Sequence, residues 1–329
     1  MLNVQKSDLE SFEEQGFMIV KGVLDPENDI KPVEEQYSIF LDSIIEKLYD
    51  AGELSSTYKE LPFLERFCKV LFKGLVSIRQ LDITLPPNYS ADAPIYLGST
   101  VFHHILRNPR ILEIIEMLIG PEIYCNAVQH TRIKPRERDI PEDMLLNNLV
   151  AATSWHQDLG VLDPEADDTE IISVWVAMTD VNENNGCLVI IPGSHRQELV
   201  QHCHNSGANG LIRPIHIPDD RLSRDESMPV VMKAGDALFF HKRLMHSSQP
   251  NTSDTIRWSF DLRYNLMGKP NGRSWLPGFV ARSAANPESV LTEAEEWAQN
   301  WREAHARLLQ NGDSKKPHNR WHPDDPVCA

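Results

Sequence analysis

Apolar residues in the first third of the chain recur every three to four positions. Between residues 31 and 50, Val33, Tyr37, Phe40, Leu41, Ile44, Ile45 and Leu48 share one helical face, and residues 61 to 81 and 99 to 118 repeat the spacing. Upstream, Ser7-Asp8-Leu9-Glu10 has the form of a capping box ahead of Phe12. Gly16 then stops that helix, and Phe17-Met18-Ile19-Val20 reads as a short strand. After Pro121 the period shortens. Compact β-prone runs bounded by Gly, Pro, Asn and Asp cover residues 122 to 133, 171 to 181, 187 to 191, 229 to 232, 236 to 241 and 255 to 265. Few helical crossovers separate these runs, so an antiparallel sandwich or barrel is expected rather than a doubly wound parallel sheet. The pattern predicts one domain over residues 1–329: a helical part to about residue 120, a β core over about 120–265 with helices packed outside it, and a C-terminal extension carrying a helix over about 292–311. That helix has Thr292 and Glu295 as its cap, Trp297, Trp301 and Leu308 on one face and Gly312 as its stop. Two long polar connections, residues 135 to 152 and 197 to 228, are candidate lids or plain surface insertions. The stretch Lys315 to Ala329 is polar and has no role assigned from its pattern.

Composition narrows the classes. Hydrophobic residues make up 41% and charged residues 24%, ordinary for a soluble globular protein, and no run approaches the roughly 18 apolar residues of a membrane span. The start of the chain lacks the pattern of a secretory leader, so a cytoplasmic location is expected. The net charge of -16 repels a phosphate backbone, which disfavours a nucleic-acid partner. Five scattered cysteines show no paired spacing, so reduced thiols are expected.

The chemistry concentrates in two places. In Ser154-Trp155-His156-Gln157-Asp158, an extended backbone points His156 and Asp158 to one side and turns Gln157 away. His246 follows the strand ending at Phe240, and an antiparallel sheet can bring it beside the first pair, whereas His241 falls on the opposite face of an extended segment. Two imidazoles and one carboxylate on one face of an octahedron leave three positions open, the donor set of non-haem Fe(II) oxygenases. By itself H-x-D is common, and a hydrogen-bonded His–Asp pair reads equally well. Arg257, in the strand Thr255 to Asp261, adds to it. A strand rarely buries an arginine without an anion, and its planar fork suits the distal carboxylate of 2-oxoglutarate. A salt bridge to Asp254 or Asp261 is the alternative for Arg257.

With these residues in hand, the chain resembles the phytanoyl-CoA dioxygenase family. The likeness rests on His156-Gln157-Asp158, Trp175-Val176-Ala177-Met178, Asn184-Asn185-Gly186-Cys187-Leu188, Pro192-Gly193-Ser194-His195-Arg196 and the run from His246 to Arg257, best over residues 120 to 265. The resemblance implies a double-stranded β-helix, a jelly-roll barrel, with Fe(II) held by His156, Asp158 and His246 and with 2-oxoglutarate and O2 as co-substrates. It also implies that Arg257 grips the co-substrate, with Ser248, Trp175, Lys134 and His130 beside it. The Asn184 to Gly186 and Pro192 to Ser194 segments read as turns of the scaffold, and His195, His202, His204 and His216 as surface or loop residues. A carboxylate at position 158 argues against halogenation.

The implied reaction is hydroxylation of a small-molecule substrate with release of succinate and CO2. Desaturation, cyclisation or epimerisation would use the same ligands. A Zn or Mn isomerase or hydrolase on a similar barrel, and a catalytically silent binding protein, are the competing classes. Residues 135 to 152, 197 to 228 and 266 to 285 are expected to shape the substrate pocket, with Gln129, Arg263 and Arg282 as candidate polar contacts.

Overall fold

Two strands rich in β-branched and aromatic residues, Ile171–Ala177 (β4) and Arg257–Leu266 (β9), form the centre of the molecule. β4 is buried at every position and β9 at eight of ten, as strands covered on both faces must be. The computed structural model describes residues 4–84, 95–145, 150–203, 215–310, 320–321 and 326–328. Around the central pair lie Phe17–Val20 (β1), Ile123–Cys125 (β2), His130–Lys134 (β3), Ala237–His241 (β7) and Phe279–Arg282 (β10). They make a seven-stranded sheet in the order β1-β7-β4-β9-β2-β10, with β3 also pairing β9. Leu188–Ile190 (β5), Met228–Val230 (β6) and His246–Ser248 (β8) form a three-stranded sheet in the order β6-β5-β8. Every pairing is antiparallel, as the short connections imply.

The large sheet is sandwiched. Its outer face carries Ile172, Val174, Trp258, Phe260 and Tyr264 into one core with the helices Lys31–Asp50 (α2), Phe63–Leu71 (α3), Pro109–Ile119 (α4) and Ala294–Gln310 (α5). Tyr37 of α2 stacks on Tyr96 at 3.9 Å and meets Trp258 edge-on at 5.6 Å, and its hydroxyl donates to the Leu81 carbonyl at 2.9 Å. Buried aromatics of this kind add about 0.5–1.5 kcal/mol per pair beyond their area. On the inner face, Phe17, Trp175, Leu238 and Phe240 pack against Leu188, Ile190 and Val230 of the small sheet. Where this inner cluster ends, at the β3–β9 side, the facing side chains become polar and the space between the sheets opens.

Several boundaries differ from the pattern read off the sequence. The first helix, Lys6–Gln15 (α1), is capped by Gln5 with Asp8 reaching back to the cap N–H, so Ser7 lies inside it. The helical period of 99 to 118 is broken into a π-turn over Val101–Leu106 and α4. Asn108 caps α4 by accepting from the Arg110 N–H at 3.0 Å, and Pro109 takes the first helical position. Residues 61 to 81 form α3 and, separately, a 3-10 turn at Ile78–Leu81. The run 122 to 133 is two strands, because the Asn126 side chain accepts from the Val128 N–H and donates to Asn265, bending the chain between β2 and β3. Gly312, His204 and the loop from Asn205 to Gly210 lie outside the described residues.

The cysteine expectation is overturned. Cys203 and Cys328, 125 residues apart, form a disulfide, while Cys68, Cys125 and Cys187 are free and buried. Widely spaced partners leave no sequence pattern, so topology alone reveals the pair. The same tail places Trp321 against His202, with ring centroids 5.0 Å apart, and donates the Trp321 indole N–H to the Gly160 carbonyl at 2.7 Å. No helix among the described residues is long and apolar enough to cross a membrane.

Candidate active site

One backbone bridge joins the segment around His156 to strand β8 of the small sheet. His156 and His246 form an antiparallel bridge, the N–H of each donating to the carbonyl of the other at 2.9 and 3.0 Å. From His156 the chain runs one extended residue, Gln157 at φ -108° and ψ 137°, before a 3-10 turn begins at Asp158. The two side chains flanking Gln157 therefore share a side. The Gln157 amide turns the other way, donating to the Arg243 carbonyl and accepting from the Val200 N–H, both at 2.9 Å.

The result is a compact donor set. One ligand atom each from His156, Asp158 and His246 lies within 4.8 Å of the others, and all three residues are buried. Asp158 Oδ1 is 3.7 Å from His156 Nε2 and 3.9 Å from His246 Nε2. Each imidazole is oriented by its own backbone: His156 Nδ1 bonds the Ser154 carbonyl and His246 Nδ1 the Leu244 carbonyl, both at 2.9 Å. An Nδ1–H donated to a carbonyl fixes the tautomer and leaves the Nε2 lone pair aimed at the shared space, the arrangement a metal-binding histidine requires. Burial, with the adjacent His246, holds His156 down to about 3, so it is a neutral ligand at physiological pH. Burial alone would raise Asp158, yet Arg263, both histidines and the Ser173 hydroxyl outweigh it and hold the carboxyl well below its usual range. Two imidazoles and a carboxylate suit a divalent ion with open positions, Fe(II) among them.

Across the cavity lies Arg257, 1% exposed at the start of β9. Its Nη1 donates to Ser259 Oγ at 2.6 Å and its Nη2 to the Gly186 carbonyl at 2.9 Å, and its Nε has no partner among the described residues. Gly186 adopts φ +83°, the left-handed conformation that lets the Asn184-Asn185-Gly186 turn present that carbonyl. Neither Asp254 nor Asp261 pairs with Arg257: Asp254 bonds Arg138 and Asp261 bonds Arg132. Burial pushes the Arg257 guanidinium down to about 10, still charged. A buried cation without a carboxylate among the described residues is costly unless an anion completes it. The Trp175 ring lies under this guanidinium, 5.0 Å from its carbon.

The cavity wall includes Lys134, Thr153, Ser248, Leu188 and Phe240 as well as the residues above. Lys134 is opposite Arg257 in the β3–β9 register, and burial together with the Arg257 and Arg132 charges pushes its ammonium well below its usual range. Ser248 Oγ accepts from the Thr153 N–H at 2.8 Å. Of the remaining sequence candidates, His130 bonds Asp82 at 3.0 Å and is absent from the cavity lining. Gln129 is spent on the backbone, donating to the Asn126 and Arg263 carbonyls and accepting from the Arg263 N–H. Arg282 pairs with Glu116 away from the cavity. Arg263 does line the cavity, but its guanidinium is bound to Asp158.

Sequence reasoning passed over Ser173 and Arg132, weighed Asp261 only as a partner for Arg257, and read His202 as a surface or loop residue. The first three were within reach, because strand alternation from Trp175 includes Ser173, from Lys134 includes Arg132, and from Arg257 includes Asp261. His202, far from a surface residue, is fully buried, and its Nε2 accepts from the Gln157 N–H at 2.9 Å. No local pattern marks that role.

The family model described as phytanoyl-CoA dioxygenase matches residues 12–259. The human peroxisomal phytanoyl-CoA dioxygenase is 26% identical over 246 residues, which are 75% of this chain and 64% of that protein. The chain thus spans a little under two thirds of that relative's length. An ectoine dioxygenase from Bordetella bronchiseptica is 24% identical over 241 residues, 68% of this chain and 71% of that protein. Among solved structures, a nickel complex of the non-heme monooxygenase ThoJ superposes with a TM-score of 0.54 at 18% identity, covering 93% of this chain and 99% of that one, which is a likeness of fold. From the family model together with these relatives, the chain belongs to the phytanoyl-CoA dioxygenase family.

Proposed function

We propose that this protein is a non-haem Fe(II)- and 2-oxoglutarate-dependent dioxygenase that hydroxylates an unactivated C–H bond of a small-molecule substrate. The observation that carries the reading is the pairing of two features across one cavity. His156, His246 and Asp158 converge on a common point, and Arg257 faces the same space as a buried guanidinium that contacts no carboxylate among the described residues. Family membership and the names of the relatives, phytanoyl-CoA dioxygenase and ectoine dioxygenase, support the reaction class. We read the two facing sheets as an open double-stranded β-helix, and the whole chain as one catalytic unit.

In this reading the three ligands would hold iron, which would supply the redox chemistry that couples decarboxylation of 2-oxoglutarate to succinate and CO2 with insertion of the other O2 oxygen atom into the substrate. The chain's own residues position and shield. Arg257 clamps the distal carboxylate, with Ser248 and Lys134 beside it, and fixes the keto acid end toward the ligands. Trp175, Leu188 and Phe240 wall the co-substrate from water. Asp158 occupies the position that a halide would need.

The test is succinate formation by the purified, iron-loaded protein under O2. Succinate formed in step with 2-oxoglutarate loss, and dependent on Fe(II), is expected even without a substrate, at the slow uncoupled rate. Absence of succinate alongside isomerase or hydrolase turnover with Zn or Mn would transfer the site to a different reaction class.

A further inference from the structure

Asp158 is held at both of its oxygens by one cross-strand pair. Ser173 on β4 and Arg263 on β9 are directly opposed in the register. The Ser173 hydroxyl donates to Oδ2, and Arg263 Nη2 donates to Oδ1, the oxygen nearest both imidazole Nε2 atoms. Arg263 is itself immobilised: its Nη1 donates to the Val128 carbonyl at 3.2 Å, and Gln129 bonds its backbone at both N–H and C=O, each at 3.0 Å. Its side chain is 4% exposed.

A carboxylate's terminal torsion is broad and two-fold, so an unrestrained Asp158 is free to rotate and offer either or both oxygens to a cation. Two oxygens on the metal would consume one of the positions that the co-substrate and O2 need. With Ser173 on Oδ2 and Arg263 on Oδ1, both carboxylate oxygens are held and the carboxylate plane is fixed. We infer that Arg263 is a positioning residue that locks Asp158 as a one-oxygen ligand, rather than a contact for the substrate. The inference rests on the iron-site reading above and adds that the central strands β4 and β9, through one residue each, set the number of open coordination positions.

The experiment compares wild type with Arg263→Met, Arg263→Lys and Ser173→Ala. Anaerobic Fe(II) titration gives the metal affinity, and the visible charge-transfer band of the Fe(II)·2-oxoglutarate complex, without substrate, reports the coordination. Removing an outer partner of a metal ligand weakens binding about 10–100-fold. Arg263→Met is therefore expected to weaken Fe(II) binding at least about tenfold and to shift the band. Ser173→Ala moves both in the same direction by less, and Arg263→Lys recovers part of the loss by restoring charge without the fork. A substrate contact would leave Fe(II) affinity and the substrate-free band unchanged in all three variants, and that result overturns the inference. Should Arg263→Met fail to fold, Ser173→Ala and Arg263→Lys carry the same comparison. If wild type forms no such band, the iron-site reading itself fails, whereas a normal wild-type band with unmoved variants sinks only the role of Arg263.

Discussion

His156 and His246 exchange both of their main-chain hydrogen bonds, at 2.9 and 3.0 Å, so the backbone ladder that joins the segments also aligns the two imidazoles. The ring centroids sit 4.2 Å apart as a consequence of that bridge. Position and ligation are thereby separable: the ladder needs no side chain, and the ligand needs only Nε2.

His246→Ala should accordingly leave the ladder in place. Fe(II) affinity is expected to fall by more than the roughly 10–100-fold that an outer partner is worth, while the melting temperature of the metal-free protein changes by a few degrees at most. Anaerobic metal titration and calorimetry measure the two effects. Unchanged Fe(II) affinity would remove His246 from the ligand set.

Arg257→Lys keeps a charge but loses the planar fork and its ties to Ser259 and Gly186. Hydrogen bonds to charged groups contribute about 1.5–3 kcal/mol each, so the KM for 2-oxoglutarate should rise at least about tenfold with Fe(II) affinity intact. The KM from uncoupled succinate formation checks this. An unchanged KM would separate Arg257 from the co-substrate.

How much of this was legible in the chain is clearest at particular residues. Alternation in an extended segment gave the shared side of His156 and Asp158 and the outward turn of Gln157, because a period of two is a local property. The distal partner His246 and the buried Arg257 depended on long-range pairing, which an antiparallel sheet allowed and the family-like spacing from His246 to Arg257 singled out. Long-range chemistry left weaker traces. Gln129 and Arg282 have the right residue types but face backbone and Glu116 instead. Strands β8 and β10, three and four residues long, are too short for a periodic signal. The break at Asn108-Pro109 was written in the sequence as a cap followed by a proline, whereas nothing local links Cys203 to Cys328.

That disulfide makes its own prediction. A cross-link of this kind typically stabilises by about 2–4 kcal/mol, mainly by restricting the unfolded chain. Cys328→Ser is expected to lower the urea midpoint correspondingly, and reductant should lower the wild type to match while leaving the variant where it is. Identical wild-type curves with and without reductant would show the thiols to be apart in solution.

A buried and a partly buried histidine contribute to the acid response of the metal-free protein. Burial holds His202 down to about 4 and His241 down to about 3, against 6.5 for an exposed imidazole. Both folded values are depressed, so as pH drops below 6.5 the unfolded chain takes up protons that the folded one refuses. The stability these neutral rings contribute is present above 6.5 and is lost on the way down to the folded values. Each contributes a slope of about 1.4 kcal/mol per pH unit in that window. His241→Asn should lose about that much less stability per pH unit than wild type between pH 6 and 4, roughly, measured by urea denaturation. Parallel curves would contradict the assignment.

The central claim is that three ligands and one guanidinium serve a single cavity. Anomalous diffraction at the iron edge, from crystals grown anaerobically with Fe(II) and 2-oxoglutarate, tests it most directly. The account expects one iron peak bonded to His156 Nε2, His246 Nε2 and one oxygen of Asp158, with the distal carboxylate of 2-oxoglutarate on Arg257. Iron elsewhere, or the carboxylate held by other residues, would contradict it.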